Sequence, residues 1–414
     1  TEREPAVTSA ARAGAADKVY RRLRGLIRQL QLFPRKAALL NSQTARLYPA
    51  SLALIGYPGY DILPFQCVLE MAHIPADVLL DEDVETGALD KYKVLFLPKC
   101  DAITAKMDER IRAFQQGGGV VVADQYLGPD LPGVIRFNFD FSRRKNVTAD
   151  AIAKGTGYAQ WDDHVLSGGG KAEMKPMAGF TAEEDQRMME SYARELIGGL
   201  PDLGLRPVDT DSLTTLLSLA EGEGAYYLFV LNDKRAYSER LRPYQSQLDQ
   251  MVPQNSTIRL LLPELASCRA YDLIEHREVP IARDPTPRLD VALDRLGGKL
   301  IAFYPQEIAA IRCTAPNTVE RGRAATISVK LSDAANASIK GMQPVRVTMY
   351  DPGENLHETQ HVLLRNGEGS LRFVAPWKSP DGTWRIAIKD LSSGKTAHCQ
   401  IVVGEPPENL AKNH

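Results

Sequence analysis

Lys93-Val94-Leu95-Phe96-Leu97-Pro98 and Gly117-Gly118-Gly119-Val120-Val121-Val122-Ala123-Asp124-Gln125-Tyr126-Leu127-Gly128 decide the fold of this chain. Each contains a short, uninterrupted apolar run, the mark of a strand buried on both faces. Between them, Thr104 to Gln116 carries Met107, Ile111 and Phe114 at helical core spacing. Strand, helix and glycine-rich turn into a second strand is the crossover unit of a parallel sheet, and its hand is right-handed. The sharp turn after the second strand presents Tyr126 before Leu127-Gly128, with no Cys or Ser. A phenol with a pKa near 10 is a poor nucleophile at neutral pH. The unit therefore reads as a scaffold or ligand-handling module.

Upstream, Lys36-Ala37-Ala38-Leu39-Leu40-Asn41-Ser42 reads as a first buried strand, Leu63 to Ala72 as a helix, and Ala76-Asp77-Val78-Leu79-Leu80-Asp81 as a second strand. An amphipathic helix over 17–32 places Val19, Leu23, Leu26, Ile27 and Leu30 on one stripe, and Phe33-Pro34 stops it. Within 43–59, Leu52-Ala53-Leu54-Ile55 suits a strand, but Pro49, Gly56, Pro58 and Gly59 argue for an ordered loop. Residues 124–180 look loop-rich. Thr181-Ala182-Glu183-Glu184 is a capping box opening a helix with Met188, Tyr192 and Leu196 on one face, closed by Gly198-Gly199. The expected architecture of 1–204 is an open, doubly wound α/β domain.

After about residue 205 the period becomes strand-like. Leu213–Ala220 and Ala225–Leu231 flank Glu221-Gly222-Glu223-Gly224 as a hairpin; Ile258–Leu262, a second hairpin over Ala270–Val279, and Lys299–Tyr304 complete an antiparallel β domain over 205–312. Asp284-Pro285-Thr286-Pro287 reads as a rigid connection within it. In 313–405, Ala325, Ile327, Val329 and Leu331 alternate with polar residues, as do Val345, Val347 and Met349, then Trp384, Ile386 and Ile388. Turns at Asn366-Gly367, Asp381-Gly382 and Ser393-Gly394 punctuate them, which suggests an immunoglobulin-like sandwich, followed by a polar tail over 406–414.

A chain of 414 residues is long enough for several cored domains. Its 50 Lys and Arg balance 52 Asp and Glu, so no global field recruits nucleic acid or an anionic membrane. Arg21-Arg22-Leu23-Arg24 and Arg143-Arg144-Lys145 read as solvated faces. No run reaches the roughly 18–20 apolar residues of a membrane span. The first residue is Thr, and the expectation is a longer parent chain with a signal or a catalytic domain upstream. The five cysteines form no CxxC pair, so a zinc or redox motif is not expected, and a single disulfide has no assignable partners. Sequons at Asn146, Asn255 and Asn336 permit an extracytoplasmic location.

Candidate chemistry is sparse. Cys100 follows a strand end but lacks a strained elbow of small residues and an assignable histidine base, so it reads as structural; Cys67 reads as core. His357 and His361 have helical zinc-ligand spacing but lie in a strand-and-loop region. No metal or cofactor is expected. Ligands of doubly wound sheets bind beyond the carboxyl ends of the strands, where Asn41, Ser42, Asp81, Lys99, Asp124 and Tyr126 would line a polar crevice. Ser167-Gly168-Gly169-Gly170-Lys171-Ala172 lacks the strand and the hydroxyl residue of a phosphate loop.

Ala38–Ser42, Ala72–Leu79, Tyr92–Pro98 and Phe114–Ala123 together resemble the flavodoxin-like, class I amidotransferase-like domain that follows the barrel in family 42 β-galactosidases and related glycoside hydrolases. The likeness covers about residues 35–130. Class I amidotransferase-like domains place a nucleophilic cysteine where Tyr126 stands here. Tyr271-Asp272-Leu273 with Glu278-Val279-Pro280 resembles the β modules trailing such enzymes, and Gly382-Thr383-Trp384-Arg385-Ile386 a module of large extracellular proteins. The resemblance implies a role in subunit assembly, with another subunit or an upstream catalytic domain as partner. The barrel that carries the catalytic carboxylates of those hydrolases has no counterpart in these residues. A site at the sheet edge is the alternative, and glycan binding by the β modules, with Trp377 stacking on a sugar, is a third expectation.

Overall fold

The computed structural model describes residues 9–48, 62–139, 141, 182–235, 251–295 and 297–404. Readings made over 49–59, the cluster Arg143-Arg144-Lys145, the sequon at Asn146, the loop at 167–172, Thr181 of the capping box and the 406–414 tail lie outside them.

The chain enters on helix α1 (Ser9–Ile27) and strand β1 (Gln31–Leu32). Next come β2 (Ala37–Leu40), α2 (Gln43–Leu47), α3 (Ile62–Met71), β3 (Ala76–Leu79), α4 (Asp81–Glu85), β4 (Val94–Leu97), α5 (Ala105–Gln116), β5 (Val120–Ala123), β6 (Ile135–Arg136) and α6 (Ala182–Gly199). Strands β2 to β6 form one sheet of order β3-β2-β4-β5-β6, with every pairing parallel. The chain changes direction across the sheet between β2 and β4, which makes a switch point there.

Both faces are covered, which is why the strands are apolar throughout. On one face α3 and α6 bury Phe65, Val68, Met189 and Leu196 against Leu39, Phe96 and Val122. Phe139 stacks on Tyr192 of α6 at 4.6 Å between centroids. On the other face Met107 and Ile111 of α5 pack on Leu40, Leu95 and Val121. Thr104 caps α5 by accepting from the Met107 N–H at 3.1 Å. The run of glycines then ends it: Gly118 turns with φ 91°, and the Phe114 ring occupies the space a Cβ on Gly119 would need.

The middle unit comprises β7 (Val208–Thr210), β8 (Thr215–Gly222), β9 (Ala225–Asn232), β10 (Gln254–Leu260), α7 (Pro263–Ser267), β11 (Arg269–Asp272), β12 (Arg277–Val279), β13 (Arg288–Leu293) and β14 (Gly298–Tyr304). Its sheets have the orders β1-β8-β9-β14-β11-β12 and β13-β10-β7. The β8–β9 hairpin turns through Glu223 and Gly224, both at positive φ, as a two-residue turn matched to strand twist requires. The two sheets enclose a core that includes Leu228, Ile258, Leu289 and Phe303.

The last unit runs β15 (Ala310–Thr314), β16 (Thr318–Glu320), β17 (Ala324–Ser332), β18 (Met342–Tyr350), β19 (Leu356–Arg365), β20 (Glu368–Val374), β21 (Gly382–Asp390) and β22 (Thr396–Gly404). They form one sheet of order β15-β17-β20-β19-β18-β21-β22-β16. Strands β19 and β20 pair only at Arg365 and Glu368, so the sheet curls there into two layers around Ile327, Phe373, Val347 and Trp384. A disulfide between Cys313 of β15 and Cys399 of β22 joins opposite regions of the curl.

Helix α1 corrects an expectation. The stripe of Val19, Leu23, Leu26, Ile27 and Leu30 is apolar as read, but the helix ends at Ile27 and packs on β18 and β19 of the last unit. It does not cover the parallel sheet. Leu23 and Leu26 are buried within the chain itself. The middle and last units also share polar contacts: Tyr227 Oη donates to the Met342 carbonyl at 2.8 Å and accepts from the Met342 N–H at 2.7 Å, while Tyr304 Oη donates to the same carbonyl at 3.0 Å. Among the described residues, no helix is long and apolar enough to cross a membrane.

Candidate functional site

The six candidate residues all follow the carboxyl ends of parallel strands, and their hydrogen bonds group them in two sets. The first set follows β2 and β3. Ser42 caps α2, its Oγ accepting from the Ala45 N–H at 3.1 Å. Asn41 donates its backbone N–H to the Leu79 carbonyl at 2.8 Å and accepts from Arg46 on its side chain. Asp81 Oδ2 accepts from the Thr44 N–H at 2.8 Å and from the Thr44 hydroxyl at 2.7 Å. Asp81 Oδ1 is buried with no hydrogen-bond partner among the described residues.

The second set follows β4 and β5. Asp124 is 2% exposed; its Oδ2 accepts from the Lys99 N–H at 2.8 Å and its Oδ1 from the Tyr126 N–H at 3.0 Å. One carboxylate thus holds both strand-to-loop turns. Lys99 sits at φ 48°, sparsely populated for a side chain of its size, and its ammonium lies 5.8 Å from the Tyr126 ring centroid. Gly128 closes the loop by donating to the Cys100 carbonyl at 3.1 Å, and the Asp101 carbonyl occupies the place of any Cβ there.

Cys100 lies between the two sets and is buried. Burial pushes its thiol well above the ordinary range, and the charges of Asp124, Asp81 and Asp101 push it further the same way. The thiol is held as S–H, the opposite of what a nucleophilic cysteine requires. Its sulfur points at the Pro98 carbonyl, 3.5 Å away.

Thr44, the hydroxyl that binds Asp81, was not foreseen; the signal was Ser42 as a helix cap, which puts the third residue of Ser42-Gln43-Thr44 in a first helical turn. His357 and His361 both lie on β19, where residues four apart stand about 13 Å from each other, too far to share an ion. His357 instead packs edge-on against Trp384 at 4.9 Å. Among the described residues no group of three His, Cys, Asp or Glu side chains is placed to hold a metal.

No family model and no curated protein sequence matches the chain. Solved structures similar to it include α-L-fucosidase isoenzyme 2 from Paenibacillus thiaminolyticus, at 13% identity and a TM-score of 0.44 over 72% of this chain and 53% of that one. A GH42 β-galactosidase from G. stearothermophilus is similar at 14% identity and a TM-score of 0.38, over 71% of this chain and 43% of that one. The exo-carrageenase GH42 from Bacteroides ovatus follows at 9% identity and a TM-score of 0.29, over 65% and 29%. The chain therefore spans about half, or less, of the length of these structures. Likeness at this level establishes no shared chemistry.

Proposed function

We propose that this chain is a non-catalytic accessory and assembly region of an exported, carbohydrate-related multidomain protein, built from units 1–204, 205–312 and 313–405, with α1 serving the last of them. The observation that carries the reading is Cys100: burial holds the thiol at the apex of the parallel sheet protonated, and the charges of Asp124, Asp81 and Asp101 add to it. The resemblance of residues 35–130 to domains that follow hydrolase barrels supports the assembly role. The Cys313–Cys399 disulfide supports export, since such bonds persist in oxidising compartments. The partner, another subunit or an upstream catalytic domain, would meet the sheet at its β3 edge, where Leu47, Tyr48, Leu63, Val78 and Leu80 are exposed. Light scattering on the purified chain, with pull-down from the source, tests this. A strict monomer that recovers no partner removes the assembly role, and association weakened by Val78→Asp with Leu80→Asp supports it.

One observation favours a second reading, a small-molecule site at the carboxyl edge of the sheet. Asp81 Oδ1 is a buried acceptor lacking a donor among the described residues, and such groups are rare in folded proteins. Comparing the wild type with Asp81→Asn against glycoside, ester and amide panels discriminates; identical traces on every panel end this reading.

A further inference from the structure

Arg346 of β18 lies directly opposite His361 of β19 on one side and Lys389 of β21 on the other. Directly opposed residues on antiparallel strands project from the same face, with Cβ atoms about 5 Å apart. An imidazole, a guanidinium and an ammonium therefore stand in one row. They alternate with Val345, Val347 and Ile388, which point the other way into the core of the last unit. Helix α1 packs on β18 and β19, and just past its end Gln29 accepts from Arg365, which shares the face of His361. On the β21 side the row is bounded by the turn after β11, where His276 Nδ1 donates to the Leu391 carbonyl at 2.8 Å.

This packing brings Arg22 and Arg24 of α1 to the row. Burial lowers the pKa of both His276 and His361, and the charges of Arg22 and Arg346 lower both further, with Lys389 acting on His276 and Arg24 on His361. The two imidazoles thus share one positive field. Arg22 donates to the Lys18 carbonyl at 3.3 Å, and among the described residues none of Arg22, Arg24, Arg346 and Lys389 takes an ion pair. The neighbouring acids are engaged or turned away. Asp17 pairs with Arg21 and Glu275 with Arg277, while Asp390 is buried and accepts from the Ser392 and Ser393 N–H groups. Glu358 projects from the other face of β19. Like charges directly opposite each other destabilise a sheet, and the chain as a whole carries a net charge of -2 at pH 7, so overall composition does not account for this cluster.

We propose that this patch binds a sulfate or phosphate ester. An anion relieves the repulsion among cations gathered from α1, β18 and β21, and the donors decide its kind. Guanidinium forks hold oxyanions through paired hydrogen bonds, and an ammonium adds up to three more donors. A carboxylate offers two oxygens in one plane. A sulfate or phosphate ester offers three, spread toward donors on three elements. The row is about 10 Å long, which suits one such group and is too small a field for a membrane surface. The site lies on the last unit, apart from the sheet-edge crevice and the β3 edge, and does not rest on the assembly reading.

Titration calorimetry of the full chain with glucose 6-phosphate and glucose 6-sulfate, beside glucose and glucuronate, tests the proposal. Saturable binding of at least one ester is expected, weakened about tenfold by Arg346→Met and by Lys389→Met, the scale of one hydrogen bond to a charged group. The tighter ester tells whether the source is phosphorylated or sulfated. Neither replaced charge takes an ion pair among the described residues, and methionine keeps an apolar stem, so the variants keep the fold. Arg110→Ala, which removes an exposed charge of α5, leaves the Kd unchanged. Binding of neither ester, tighter binding of glucose or glucuronate than of both esters, an unaltered Kd in Arg346→Met, or an equal loss in Arg110→Ala overturns it. Retention on phosphatidylserine vesicles without binding of either ester also overturns it, and assigns the patch to a membrane surface.

Discussion

His73 bonds Asp209 from Nδ1 at 2.9 Å and the Thr215 carbonyl from Nε2 at 3.0 Å, so one imidazole at the end of α3 joins the parallel-sheet unit to two strands of the middle unit. Both side chains are buried. Asp209 Oδ2 is shared by Arg259 at 2.7 Å and Arg206 at 3.0 Å.

Removing the ring leaves a buried carboxylate and carbonyl short of donors. His73→Ala is expected to lose about 1–3 kcal/mol of stability, the usual cost of leaving a buried polar group without its hydrogen-bond partner. Urea unfolding followed by circular dichroism measures it; a loss under about 1 kcal/mol would mean that the arginines hold the joint alone.

The same carboxylate sets an acid limit. Burial alone would raise the Asp209 pKa, but hydrogen bonds from His73 and Arg259 and the charge of Arg206 outweigh it and hold the group well below the ordinary carboxylate range. A folded-state pKa below the unfolded one gives stability that is present above the unfolded value near 3.9 and lost as pH falls toward the folded one. The loss should begin below about pH 5 and be shallower in Asp209→Asn. A pH series of urea midpoints that falls equally in both proteins contradicts this.

Thiol accessibility follows burial. Cys67 is exposed, while Cys100 and Cys268 are buried, and burial pushes the Cys268 thiol up to about 11, helped by Glu264. With Ellman's reagent at pH 8 the native protein should show one fast thiol, and Cys67→Ser should abolish that phase. The remaining two thiols should appear only with denaturant.

The Cys313–Cys399 bridge spans a sequence separation of 86 residues. Closing a loop of that size stabilises a fold by about 4.6 kcal/mol in the chain-entropy account. Cys399→Ser should therefore melt well below the wild type, and reductant should lower the wild-type melting temperature without affecting the variant.

Tyr227 Oη both donates to and accepts from the backbone of Met342 inside the shared core of the middle and last units. Tyr227→Phe strands a buried N–H and is expected to cost about 1–3 kcal/mol. Calorimetry should show the two units unfolding less cooperatively; an unchanged single transition argues that apolar packing alone couples them.

The parallel-sheet strands were readable because burial on both faces leaves an unbroken apolar run, as in Val94–Leu97 and Val120–Ala123. Their helices were readable from spacing and caps. Strands β1, β6 and β7, of two or three residues, carry no periodicity to detect. Strand β13 does alternate, with Leu289, Val291 and Leu293 inward, but it follows directly on Pro285 and Pro287, whose turn chemistry masks the start of the period. Helix α1 had the right stripe and the wrong neighbour, because an apolar stripe records that something covers it and not what.

At the candidate site, the positions of Asn41, Ser42, Asp81, Lys99, Asp124 and Tyr126 at strand ends followed from local pattern alone. Their partners did not. The bond from Asp124 to Lys99, the orphaned oxygen of Asp81 and the protonated state of Cys100 depend on how strand ends meet across the sheet. Local periodicity and turn chemistry act within a few residues, so they were sufficient for the longer helices and for the parallel-sheet strands. Pairing of Cys313 with Cys399, of His73 with Asp209 and of Gln29 with Arg365 joins residues far apart in the chain, and only the packed structure decides it, because burial and desolvation arise between elements and not within them.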